Sequence, residues 1–120
     1  MIVGVGIDLV KVERIRKAIE RKKFMEITFT PAEISCYNKA GCPIGTLASR
    51  FAAKEAVFKA LGTGWVKGTD VEILPDKFGK PTVTLYGETL TRSKEAKIKK
   101  IEVSLSSYED YAVGMAVAEK

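Results

Sequence analysis

The chain has 120 residues, with 20 Lys or Arg against 15 Asp or Glu, a formal charge of +5 and a pI near 9.2. That length predicts one domain, residues 1–120, and 46% hydrophobic with 29% charged residues is ordinary for a soluble globular protein. There is no histidine, which excludes Ser-His-Asp triads, Cys-His pairs and His-ligated zinc and leaves acid–base or metal chemistry to carboxylates, Lys, Tyr or water.

A metal held by carboxylates alone would be Mg²⁺ ahead of Mn²⁺ or Ca²⁺. The positive balance implies an acidic partner: nucleic acid, a phosphorylated ligand or an acidic protein. No apolar run approaches the roughly 20 residues of a membrane span, so no membrane association is expected. Cys36 and Cys42 match no zinc spacing. Either they form a local disulfide or they are two free thiols of a cytoplasmic protein.

Met1 to Val10 reads as a strand rather than a signal peptide. Val3, Val5, Ile7 and Leu9 share one parity; Gly4, Gly6, Asp8 and Val10 share the other. Asp8 thus falls on a face where two glycines let a ligand or another segment come close. It is either part of a site or a strand-end carboxylate in a structural network.

Lys11 to Lys23 reads as one helix with Val12, Ile15 and Ile19 as its apolar stripe and a strongly basic remainder. That remainder is either a solvated face or a docking surface for an acidic partner. Thr30-Pro31-Ala32-Glu33 is a capping box with Pro at the first helical position, opening a helix to about Lys39. Gly41 to Gly45 forms a turn.

Thr46 to Leu61 is the central helix and too apolar to lie on the surface. Leu47, Phe51, Phe58 and Leu61 cluster on one side. Glu55 sits on the flank of that stripe with Lys59 one turn on, and Arg50 and Lys54 lie on the other flank. An exposed Glu55–Lys59 pair would be a plain i,i+4 ion pair, but the surrounding alanines argue against full exposure. Glu55 is therefore a candidate metal ligand beside the ion-pair reading, and Lys59 with the Gly62-Thr63-Gly64 turn a candidate phosphate holder whose backbone N–H groups could face an anion. Gly62 is placed to end the helix in the left-handed conformation.

Asp70–Pro75 and Thr82–Leu85 predict a hairpin around Lys77–Pro81. Gly87–Lys97 predicts an amphipathic helix. Ile101–Leu105 and Tyr111–Ala118 predict two final strands joined through the polar link 106–110. The pattern gives an α+β class with strands near both ends and a buried middle helix.

Two nucleotide motifs fail. Gly4-x-Gly6 is followed by Leu9 where a dinucleotide fingerprint needs a small residue, and Gly64 to Thr69 reads Lys-Gly-Thr where a P-loop reads Gly-Lys-Thr. The basic segment Lys11 to Lys23 carries no interleaved aromatic, so nucleic-acid binding has no support beyond charge.

Gly4-Val5-Gly6-Ile7-Asp8 through Ile15 resembles the opening of the holo-[acyl-carrier-protein] synthases, the small bacterial 4′-phosphopantetheinyl transferases. Arg50-Phe51-Ala52-Ala53-Lys54-Glu55-Ala56 through Lys59-Ala60-Leu61-Gly62-Thr63-Gly64 resembles their signature helix. Thr30 with Glu33, Gly79-Lys80-Pro81, and Val103 to Ser107 before Tyr111-Ala112 fall in the family's order. The resemblance implies transfer of the phosphopantetheine arm of coenzyme A to a serine of acyl carrier protein, releasing adenosine 3′,5′-bisphosphate, in support of fatty acid biosynthesis.

It also implies the family's fold, an antiparallel sheet packed with the long central helix. It implies Asp8 and Glu55 as Mg²⁺ ligands and Lys59 as a third catalytic group. Arg50, Lys59, Gly62, Thr63, Gly64, Lys80, Pro81 and Ser107 are implied for coenzyme A, and Arg14 and Arg21 for the acidic carrier protein. The homotrimer is implied as well, with sites at subunit interfaces. Ser107 stands where the family commonly has histidine, and it can hydrogen-bond but neither stack on adenine nor carry charge. The alternative from another class is a non-catalytic basic module acting through Lys11 to Lys23.

Overall fold

The computed structural model describes residues 1–120, the side chain of Ala40 excepted. In chain order it contains β1 (Ile2–Lys11), α1 (Val12–Ala18), α2 (Lys22–Thr28), α3 (Pro31–Ala40) and α4 (Ile44–Leu61). A 3₁₀ turn (Gly68–Asp70) leads into β2 (Val71–Pro75) and β3 (Pro81–Leu85), followed by α5 (Gly87–Glu95), β4 (Lys100–Tyr108) and β5 (Tyr111–Glu119). Both sheets are antiparallel: three strands in the order β1-β5-β4, and the β2-β3 hairpin. The class is α+β, as predicted.

The central helix α4 lies on the three-stranded sheet, and small residues on both sides let it come close. A Cβ at Gly6 would stand 1.9 Å from the Ala56 carbonyl oxygen, and one at Gly114 would stand 2.2 Å from the Ala53 nitrogen. The segment that the two β1 glycines admit is therefore α4 itself. Its buried Ala52, Ala53, Ala56 and Ala60 meet the glycine and alanine faces of β1 and β5. Asp8 shares this helix-facing parity. The opposite parity of β1 is open: Val5, Ile7 and Leu9 are 58%, 61% and 65% exposed.

The basic helix does not run unbroken from Lys11 to Lys23. It ends at Ala18, passes through a turn in which Glu20 and Arg21 donate to the Lys17 and Ala18 carbonyls, and restarts as α2. Like charges at i,i+4, such as Lys17 and Arg21, weaken a continuous helix. The break swings Phe24 onto Phe51 and Phe29, with ring centroids 6.1 and 6.4 Å away. Two further boundaries move. α4 begins at Ile44, directly behind Pro43. β4 continues to Tyr108, which pairs with Tyr111, so the link shrinks to a turn at Glu109 and Asp110, with Glu109 left-handed at φ 52°.

The capping box forms as expected. The Thr30 hydroxyl accepts from the Glu33 N–H at 3.2 Å, and Glu33 Oε1 accepts from the Thr30 N–H at 2.8 Å. The same carboxylate does more than cap. Its Oε1 also receives Lys54 Nζ at 2.7 Å, and its Oε2 accepts the Ile73 N–H at 2.9 Å. Lys54 is fully buried, spends its remaining donors on the Gly68 and Val71 carbonyls, and faces the Phe29 ring. Burial pushes its pKa down, opposed by the charge and hydrogen bond of Glu33. Lys54 is thus an internal brace joining α3, α4 and the hairpin, rather than a charge on the helix flank.

Candidate active site

Three of the expected residues converge between β1 and α4. Lys59 Nζ lies 3.0 Å from Asp8 Oδ1 and donates to the Ile7 carbonyl at 2.8 Å. Glu55, one helical turn before Lys59, is half-buried beside Asp8. Burial first, and then the Asp8 charge, hold its carboxyl above the usual carboxylate range, while Arg14 and Lys59 act in the opposite sense. Strand parity aims Asp8 at the helix and helical spacing presents Glu55 and Lys59 to it.

Two carboxylates this close repel each other and suit a shared cation. Among the described residues no group of three or more His, Cys, Asp or Glu side chains gathers as a metal cage. That donor set fits Mg²⁺, which takes one or two carboxylates and completes its octahedron with water and substrate phosphate.

The Gly62-Thr63-Gly64 turn follows at the same end of α4. Gly62 is left-handed (φ 75°) and stops the helix, its N–H bonded to the Lys59 carbonyl and that of Thr63 to the Phe58 carbonyl. Two of the three amides expected to face phosphate are therefore consumed by the cap. That of Gly64 (φ 70°) has no protein acceptor among the described residues.

A second group assembles elsewhere. Arg50, Lys80, Pro81 and Ser107 line a cavity of about 530 Å³ between the first half of α4, the hairpin turn and β4, together with the hydroxyls of Ser49 and Ser104. Ser107 packs against the first turn of α4: a Cβ at Gly45 would stand 3.0 Å from its Oγ. Lys80 is bridged to Glu102 at 3.3 Å.

One chain does not join the two groups. Arg50 precedes Lys59 by nine residues, about 180° around the helix. β5 separates β1, which carries Asp8, from β4, which lines the cavity.

The third expected group, Arg14 and Arg21, rims a groove of about 330 Å³ with Lys17, over a floor that includes Phe24 and Phe51. The Arg14 guanidinium carbon stands 5.7 Å from the Phe51 ring centroid. Trp65 extends this aromatic floor, 5.4 Å from Phe51 and 5.3 Å from Phe58. This floor is not legible in the sequence. The only signal was Phe24, three residues after Arg21, and it becomes meaningful once the helix break is known.

This fold and this constellation coincide with a known class. The model of the 4′-phosphopantetheinyl transferase superfamily matches residues 4–116, and the chain belongs to that family. Within it, the chain is 46% identical over 122 residues to the holo-[acyl-carrier-protein] synthase of Clostridium tetani, covering 99% of this chain and 97% of that protein. Among solved structures it resembles the holo-[acyl-carrier-protein] synthase of Neisseria meningitidis, with a TM-score of 0.89, 37% identity and complete coverage of both chains. It also resembles the corresponding Bacillus anthracis protein in complex with coenzyme A (3′,5′-ADP), with a TM-score of 0.81, 35% identity and coverage of 100% of this chain and 98% of that one.

Proposed function

We propose that the chain transfers 4′-phosphopantetheine from coenzyme A to a serine of apo acyl carrier protein, giving the holo carrier and adenosine 3′,5′-bisphosphate, and that its client serves fatty acid biosynthesis. The observation that carries this reading is the meeting of Asp8, Glu55 and Lys59, drawn from distant parts of the chain, in a member of this family.

The serine oxygen attacks the phosphorus on the pantetheine side of the pyrophosphate, and the bond from that phosphorus to the bridging oxygen breaks. Mg²⁺ held by Asp8 and Glu55 would neutralise the charge building on the phosphates. Lys59, already at Asp8, adds a cation to the leaving phosphate. Glu55 is the carboxylate placed to accept the serine proton, directly or through one water, in a chain without histidine. The Gly64 N–H is the amide of the turn left to meet a phosphate oxygen. Arg50, Lys80, Pro81 and Ser107 take the nucleotide end. Ser107 offers a hydroxyl there and no ring to stack.

Arg14 and Arg21 grip the acidic carrier. Their groove has an aromatic floor, which suits an acidic helix with an apolar side chain better than a bare phosphate backbone, and this favours a protein partner over nucleic acid.

Two observations support assembly of identical chains. The open face of the sheet carries Val5, Ile7, Leu9 and Met115 in the open. The nucleotide cavity and the carboxylates also lie on opposite sides of α4, so a second copy is needed to complete one site. The number three comes from the family resemblance. Among the described residues no helix is long and apolar enough to cross a membrane. Cys36 and Cys42 are unbridged, in keeping with a cytoplasmic enzyme.

The test is to incubate the protein with apo acyl carrier protein, coenzyme A and Mg²⁺ and weigh the carrier by mass spectrometry. Gain of one phosphopantetheine is expected. No gain across a series of salt and metal concentrations would overturn the reading.

A further inference from the structure

Arg50 is a buried cation that pairs with no acid among the described residues. It is 9% exposed, and the buried carboxylate of α3, Glu33, is committed to Lys54 one turn further along α4. Arg50 in turn helps to lower the Lys54 pKa, so the two cations feel each other. An arginine keeps its charge when buried, and a buried charge is retained at a cost unless something answers it. Both of its terminal nitrogens, Nη1 and Nη2, stand 3.8 Å from one atom, the Sγ of Cys36 on α3. The same side chain lines the 530 Å³ cavity.

We propose that Cys36 is the positioning residue for Arg50. The thiol sulfur holds the guanidinium from the α3 side without cancelling its charge, which stays available to a phosphate group of coenzyme A in the cavity. This rests on reading that cavity as the nucleotide site.

The choice of sulfur has a physical basis. A carboxylate on α3 would form a bidentate pair with Arg50 and neutralise it. A methyl group would leave the inward-facing N–H groups unanswered. A hydroxyl would accept more strongly, but its shorter bond to carbon leaves it further from the fork. Sulfur is a weak, large acceptor that reaches both nitrogens at once.

The experiment compares wild type with Cys36→Ala, Cys36→Ser and Cys36→Asp. The dissociation constant of coenzyme A is measured by calorimetry without carrier, together with kcat, both KM values and Tm. Cys36→Ala should weaken coenzyme A binding and raise its KM about tenfold, the worth of one charge-assisted contact. Its kcat at saturation and its KM for the carrier should hold. Cys36→Ser should recover part of the affinity. Cys36→Asp should lose more than Cys36→Ala, because it pairs with Arg50. In an Arg50→Lys background, adding Cys36→Ala should change little.

Coenzyme A affinity within twofold of wild type in Cys36→Ala, with or without a fall in Tm, would overturn the proposal. So would an equal loss in the Arg50→Lys background. If wild type neither binds coenzyme A nor modifies the carrier, the transferase reading fails and takes this inference with it. If wild type is active and Cys36→Ala binds normally, only the inference fails.

Discussion

Lys54 Nζ and Glu33 Oε1 meet at 2.7 Å with both side chains wholly out of solvent. The carboxylate also holds the amides of Thr30 and Ile73, and the ammonium also holds the carbonyls of Gly68 and Val71. One ion pair therefore ties the start of α3, the middle of α4 and the root of the hairpin together, next to Glu55 in sequence. Lys54→Met leaves a carboxylate buried with its counter-charge gone, and should cost about 3–5 kcal/mol of stability. Denaturant unfolding measures it, and an unchanged midpoint would show that the pair is dispensable.

The Asp8–Glu55 pair carries a prediction with two readouts. Glu55→Gln should abolish Mg²⁺-dependent turnover and remove most of the Mg²⁺ binding seen by calorimetry in the presence of coenzyme A. In metal-free buffer the same variant should melt higher than wild type, because a half-buried charge facing Asp8 is gone. Retained turnover would take Glu55 out of the site.

On the proposed function Arg14 and Arg21 recognise the carrier, and of the two only Arg14 bears on the Glu55 carboxyl. Arg21→Glu should raise the KM for the carrier about tenfold or more, since like charges across an interface cost several kcal/mol. The KM for coenzyme A should not follow. The wild-type KM for the carrier should climb with salt, and a flat salt response would make the basic helix an ordinary solvated face.

Glu102 controls how free Lys80 is. Hydrogen bonds from Lys100 and Lys80 hold the Glu102 carboxyl below the usual carboxylate range. A depressed folded-state pKa means that its contribution to stability is present above the unfolded glutamate value and is lost as pH falls through the lower, folded one. Glu102→Gln should flatten that acid limb at little cost near neutrality, because the pair is exposed. It should also lower the KM for coenzyme A by releasing Lys80. A raised KM would show that Glu102 holds Lys80 in a productive place.

The open β1 face gives an assembly test. Ile7 is 61% exposed on the side of the sheet away from α4. Ile7→Asp should leave the fold of one chain intact and shift the species seen by light scattering toward monomer, with activity lost in proportion. An unchanged mass would move the interface elsewhere.

Much of this was legible in the chain. The Thr30–Glu33 capping box, the Gly62 stop and the alternation of the hairpin are local signals, set by backbone geometry within a few residues, and they appear as expected. The parity of β1 singled out Asp8, and the spacing of α4 placed Glu55 with Lys59. The break at Ile19–Arg21 was legible only as the like charges of Lys17 and Arg21; the contact of Phe24 with Phe51 that goes with it lies far along the chain.

The sequence by itself determined which residues could do chemistry: two carboxylates, a lysine and a set of cations in a chain without histidine. Tertiary structure decided which of them meet. Glycines at 6 and 114 let α4 approach the sheet closely enough to put Lys59 on Asp8. The same packing drew Lys54, whose neighbour Glu55 faces the site, into the core as a partner for Glu33. Among the described residues it left Arg50 answered only by the sulfur of Cys36. Charge pattern along a helix gives each side chain's direction, but whether that direction meets water, an acid or a cavity is a property of the surfaces packed against it.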